Sequence, residues 1–243
     1  KSFIKKNPGA RVLTVKHAYP NLLKNNISPW GCIVLDPRAI TGKSTHNIVR
    51  KDLFATIDPQ TNFFVASMTD PSVTNHLIDN GARIWGWHAY RDDNEQGHAI
   101  QNQQVRLNED LGIPKGATLI TGGTCAAMRS IGMLHKMGFR DIHLFGFDCC
   151  REEPTKEEMT ETVGDIDGGE TPKPKYIQVN VKENMYWTTG ELLAMAQDCE
   201  KVFGDEGLEG VLTFHGKETM VADLWDINLE RQTRPQFEGY YDE

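Results

Sequence analysis

Short apolar runs recur along this chain, and helix-like stretches separate most of them. RVLTV (11–15), GCIVL (31–35), FFVAS (63–67), ARIWGW (82–87), ATLIT (117–121) and DIHLFGF (141–147) have the length of strands and are rich in β-branched and aromatic residues. HAYPNLLKNN follows the first run. DPSVTNHLIDNG follows the third, with Asp70 placed to cap a helix, Pro71 at its first position and Gly81 at its end. Residues 97–111 read as a polar helix, and CAAMRSIGMLHKMG as an amphipathic one that Gly138 stops. Strands that alternate with helices fold most simply as an α/β domain, with a mostly parallel sheet covered on both faces.

Residues 151–175, REEPTKEEMTETVGDIDGGETPKPK, are acidic, rich in Gly and Pro and nearly free of apolar side chains. They read as a long mobile loop or lid. YIQVNV (176–181) and MYWTT (185–189) follow as strands, then a helix over ELLAMAQDCEKVF, a last strand in EGVLTFHG (209–216) and a last helix in ETMVADLWDINLE. With no internal repeat and no clear boundary, residues 1–243 are expected to form a single domain.

The net charge of −8 argues against broad nucleic-acid binding, and no apolar run approaches the roughly 20 residues of a membrane helix. The five cysteines, Cys32, Cys125, Cys149, Cys150 and Cys199, include no C-x-x-C pair. Buried free thiols suit the cytoplasm, the expected location.

Several motifs carry chemistry. TGKST (41–45) resembles the end of a phosphate loop, but Pro37 stands where the first glycine belongs and lacks an N–H. Gly122, Gly123 and Thr124 lie between a strand and a helix, where free N–H groups can hold an anion. The same residues also suit a tight turn with Thr124 as helix cap. Asp36 follows CIVL and Asp148 follows HLFGF, at strand ends where carboxylates hold Mg²⁺ or a sugar hydroxyl, or simply form turns. His17 ends the first strand as a candidate acid or base, and His215 ends the last. His143, inside a strand, reads as structural. No H-x-x-x-H, H-E-x-x-H or G-x-S-x-G spacing occurs.

GGTCAAMRSIGMLHKMGFRDIHLFGFDC resembles a segment of the MptE-like family, which includes archaeal 6-hydroxymethylpterin diphosphokinase and bacterial motility accessory factors. ARVLTVKHAYPNLLKNNISPWGCIVLDPR is similar to the family's first strand, helix and strand ending in Asp-Pro. VNVKENMYWTTGELLAMAQDCEKVF resembles a later segment in which a Thr-rich turn opens a helix. The likeness covers about half the chain by fold-level motifs. It implies a Rossmann-like three-layer domain, related in architecture to some sialyltransferases. It also implies a nucleotide-dependent transferase, moving diphosphate from ATP to a pterin or a nonulosonic acid from a CMP-sugar. The partners would be a small-molecule nucleotide and an unidentified acceptor, with Mg²⁺ as a companion ion. Phage homologues occur in the family.

The positions that match are Asp36, Gly122, Gly123, Thr124, Asp148 and Thr188, while His17 falls where the family varies. On this reading His17, Asp36 and Asp148 are catalytic, the two aspartates also hold metal, and Gly122, Gly123, Thr124 and Thr188 bind the nucleotide. The family's G-x-G-P-S motif would fall just before Lys1 and is missing from this sequence, a departure that bears on nucleotide binding. The alternative is a Rossmann-like protein, phage-encoded in one version, that binds a ligand or partner without catalysis.

Overall fold

The computed structural model describes residues 1–40, 51–89, 119–120, 122, 125–156, 158, 175–205, 207–216 and 219–233. TGKST, the expected 97–111 helix, Gly123, Thr124 and most of 151–175 lie outside them. The chain divides into two compact units, Lys1–Met133 and Leu134–Glu243.

In the first unit, β1 (Leu13–Val15), β2 (Gly31–Val34), β3 (Asn62–Ala66) and β4 (Arg83–Trp87) form a sheet in the order β1-β2-β3-β4. Every pairing is parallel, and Ile120 bridges Ala89 in the same sense. All four residues of β2 are buried, as a strand covered on both faces requires. Their alternation supplies two cores. Cys32, Val34, Phe63 and Val65 pack with Tyr19 of α2 (Tyr19–Lys24) and with Val73 and Leu77 of α3 (Pro71–Asp79). Ile33, Phe64 and Ala66 pack on the other side with Trp87, Ile120 and Met133 of α4 (Ala126–Lys136). A short helix, α1 (Ser2–Lys6), precedes β1, and a 3₁₀ turn covers Lys51–Phe54. A parallel sheet flanked by helices on both faces is the expected α/β, Rossmann-like arrangement.

Local chemistry fixes these elements. Asp70 caps α3, its Oδ1 accepting from the Ser72 N–H at 2.8 Å, with Pro71 beside it at the start of the helix. Gly81, at φ +78°, turns the chain out of the helix into β4. The fully buried Tyr19 would leave a stranded hydroxyl in the core. Its oxygen instead accepts from the Asp58 N–H at 2.8 Å.

In the second unit, β5 (Ile142–Phe145) pairs in parallel with β8 (Leu212–His215). The strands β6 (Tyr176–Val181) and β7 (Asn184–Thr189) form an antiparallel hairpin, turning at Lys182 with φ +53°. Two helices, α5 (Gly190–Asp205) and α6 (Met220–Thr233), complete the unit. Asp223 of α6 accepts from Tyr186 Oη and Asn184 Nδ2, both at 2.8 Å, which fastens this helix to β7. Among the described residues no helix is long and apolar enough to cross a membrane.

Hydrogen bonds from Ser72 hold the Asp70 carboxyl below the usual range. A depressed carboxyl contributes stability above its unfolded pKa of about 3.9, and that stability is lost as acid protonates it. Asp70→Ala is therefore expected to lower the urea midpoint at pH 7. The gap to the wild-type chain should close as the pH falls below about 4, and equal midpoints at pH 7 would deny the cap.

Candidate functional site

In a parallel sheet all strand carboxyl ends lie along one edge, where ligands of open α/β domains bind. Two of the first unit's strands carry charge there. Thr14 and Lys16 alternate onto the face of β1 that Thr14 shares with Cys32 of β2, so the Lys16 ammonium is drawn under the sheet edge and buried. Asp36, two residues past β2, is also buried and meets it in an ion pair. Arg38 closes the group from two residues further on. Its Nε donates to Asp36 Oδ1 and its Nη2 to Oδ2, both at 2.7 Å, and its backbone N–H donates to Oδ1 at 3.1 Å. The Asp36 backbone is held too, with the Asp70 N–H donating to its carbonyl at 2.9 Å.

The electrostatics follow from this packing. Burial lowers the Lys16 pKa to about 8, and the nearby Arg38 guanidinium adds to the effect. Burial also pushes the Cys32 thiol well up, so it is an inert core group. Two cations face the Asp36 carboxylate. Ala66, Ser67, Thr69, Pro71, Thr74 and Gly86 line an open groove of about 330 Å³, to which Lys16, Asp36 and Arg38 do not contribute.

His17 is exposed in the turn after β1, one residue beyond Lys16. Gly122 is accounted for by packing. At φ +128° it lies so close to α4 that an added Cβ would stand 2.8 Å from the Arg129 Cα. Arg129 Nη1 also donates to the Ile120 carbonyl at 2.8 Å, tying Ile120 to the same helix.

Asp148 and Thr188 belong to the second unit. Asp148 follows β5, and burial raises its carboxyl above the ordinary range. Gly216, at φ +151°, lets the turn after β8 approach it, and a Cβ there would lie 3.5 Å from Asp148 Oδ1. Thr188 is fully buried, and its hydroxyl donates to the Cys149 carbonyl at 2.8 Å. It thereby holds the backbone next to Asp148.

A metal role for Asp36 does not fit its surroundings, because both of its oxygens already face cations. Among the described residues, no group of three or more His, Cys, Asp or Glu side chains gathers to hold a metal ion.

The sequence singles out His17 and Asp36 but not their neighbours Lys16 and Arg38. Two signals mark them. Lys16 continues the Thr14 face into the strand's end, and Arg38 sits two residues after Asp36 in Asp-Pro-Arg, within reach of a carboxylate that accepts from backbone i+2.

Asp36→Asn should destabilise the chain by about 2–4 kcal/mol in urea unfolding, since it leaves two cations without their carboxylate. The half-exposed Arg38 moderates the loss. Gly122→Ala should cost about 1–3 kcal/mol from its φ and its contact with helix backbone, ligand or no ligand. A neutral Gly122→Ala would disprove the packing account.

No curated protein and no solved structure matches this chain. The family described as 6-hydroxymethylpterin diphosphokinase MptE-like matches residues 1–154, more than half of the 243. With its parallel sheet and the stretches that carry the resemblance, the chain belongs to the MptE-like family.

Proposed function

We propose that the chain is a nucleotide-dependent transferase of the diphosphokinase type, with the donor phosphates bound at the carboxyl edge of the first unit's sheet. The observation that carries this reading is the group of Lys16, Asp36 and Arg38, two cations pinned by one buried carboxylate at a strand edge suited to ligands. Arg38 and Lys16 match phosphate oxygens in charge. Asp36 acts as a positioning residue that holds both cations before the substrate arrives.

In the reaction, an acceptor hydroxyl attacks the β-phosphorus of ATP. The bond from that phosphorus to the α,β-bridging oxygen breaks, AMP leaves with the electron pair, and the acceptor proton passes to a base. His17, exposed beside Lys16, is the candidate base. Magnesium would enter on the phosphates as Mg–ATP. The remaining work is orientation and neutralisation of charge. The hydroxymethylpterin acceptor is taken from the family's name.

A second reading, a ligand-binding protein without catalysis, is favoured by Gly122, whose glycine is required by α4 whether or not an anion binds.

The test combines binding with turnover. Melting curves with ATP, CTP and CMP-sialic acid, each with and without Mg²⁺, should show a rise of a few degrees with ATP. ATP with 6-hydroxymethylpterin should yield AMP. Arg38→Ala is expected to weaken ATP binding by about 10- to 100-fold, the worth of a charge-assisted contact. A shift with no AMP would favour the binding protein, a shift with CMP-sialic acid alone would favour glycosyl transfer, and no shift with any nucleotide would end the transferase reading.

A further inference from the structure

One strand glycine answers to neither backbone nor packing. Gly86 lies inside β4, its φ is not positive, and a Cβ added to it would meet no atom within 4 Å. Gly31 of β2 is the contrast, where an added Cβ would stand 2.6 Å from the Phe64 ring. Glycine weakens a strand interior, and one that neither conformation nor crowding demands marks a place where a ligand comes close. Ile84 packs with the core under α3 and Trp87 with the opposite core, so Ile84, Gly86 and His88 share the face toward α3.

Gly86 is the floor of the groove between α3 and the carboxyl ends of β3 and β4. Val65, Ile84 and Pro71 give it apolar walls. Ser67 and Thr74 bring hydroxyls and Asn75 an amide, and among the described residues none of these three side chains has a hydrogen-bond partner. No ionisable side chain lines it among the described residues. Next along the same face, the buried His88 Nδ1 has no hydrogen-bond partner, where a buried polar atom ordinarily has one.

We propose that this groove holds the base of the donor nucleotide, adenine in ATP, lying against Gly86 with its polar edge toward Asn75 and His88. The proposal rests on the nucleotide reading above and adds where the base lies. A lining without charge disfavours an anionic group. A base offers apolar faces to Val65 and Ile84 and a rim of donors and acceptors to the amide and hydroxyls. A sugar, hydroxylated all round, would leave groups unpaired against the same walls. An asparagine amide carries the donor and acceptor that an adenine edge takes. A turn of the His88 imidazole about its Cβ–Cγ bond brings Nδ1 to that edge and gives it a partner. The volume of about 330 Å³ stands at the lower end of the range for small-molecule sites.

The groove also adjoins the charged group. Thr69 lines it, and the Asp36 N–H donates to Thr69 Oγ1 at 3.5 Å. β4 lies two strands from β2, a span of about 10 Å that leaves room for a ribose between base and phosphates.

The test is Gly86→Val in the full chain. Valine favours strands and has open space here, so the variant is expected to melt no lower than the wild-type chain while its side chain fills the groove. In calorimetric titration, Mg–ATP should bind it about tenfold or more weakly, and tripolyphosphate, which has no base, should bind as it does to the wild-type chain. Asn75 is exposed, so Asn75→Ala serves if Gly86→Val melts lower, with a loss of about fivefold for ATP alone. Equal ATP affinity in the wild-type chain and these variants would overturn the base site and leave the nucleotide reading standing. If the wild-type chain binds no ATP, that reading falls and adenosine decides the groove. Adenosine binding that Gly86→Val abolishes would uphold it, and no adenosine binding would overturn it.

Discussion

Burial of β2 on both faces is the constraint on which the first unit depends. A strand with no exposed residue must be covered above and below, so its side chains alternate between two separate cores. Parallel pairing adds that each connection must cross back over the sheet before the next strand begins. The polar chemistry is thereby gathered where strands end, because the interior has no room for an unpaired charge. Lys16 and Asp36 stand at the limit of that rule. They are buried, and they persist because each meets an opposite charge and Arg38 completes the pairing.

The elements of the fold were legible because each carried more than one signal. Asp70, Pro71 and Gly81 marked both ends of α3, and the structure uses each as the sequence suggested. The runs near 13, 31, 62 and 83 became strands because their apolar residues had two cores to fill. The hairpin pairing was less legible. β6 and β7 were expected as strands, but their antiparallel partnership is set by a two-residue turn at Lys182-Glu183, which lacks the Asn-Gly or Asp-Gly of common hairpin turns.

The site was legible at its carboxylate and not at its cations. Asp36 stood out because a strand ending in Asp is a recognisable pattern. Lys16 did not, because a lysine beside a histidine normally reads as solvated surface and only the packed fold draws its amine inward. The glycine turn illustrates the converse difficulty. A ligand cradle and a tight helix contact both demand glycine, and only the proximity of Gly122 to Arg129 identifies the second demand. Asp148 and Thr188 lie in the other unit, where the threonine braces backbone beside the aspartate.

That brace has a consequence for motion. The segment after Asp148 is gripped twice by β7, through the Thr188 hydroxyl on the Cys149 carbonyl and through the Arg151 N–H on the Trp187 carbonyl at 2.7 Å. Neither grip survives if the hairpin peels away. The Arg151 amide therefore exchanges with solvent only when β7 lets go, and its exchange rate gauges the free energy of that opening. The loop bearing Asp148 and the hairpin thus form one cooperative unit, although 36 residues separate Arg151 from Trp187 in the sequence.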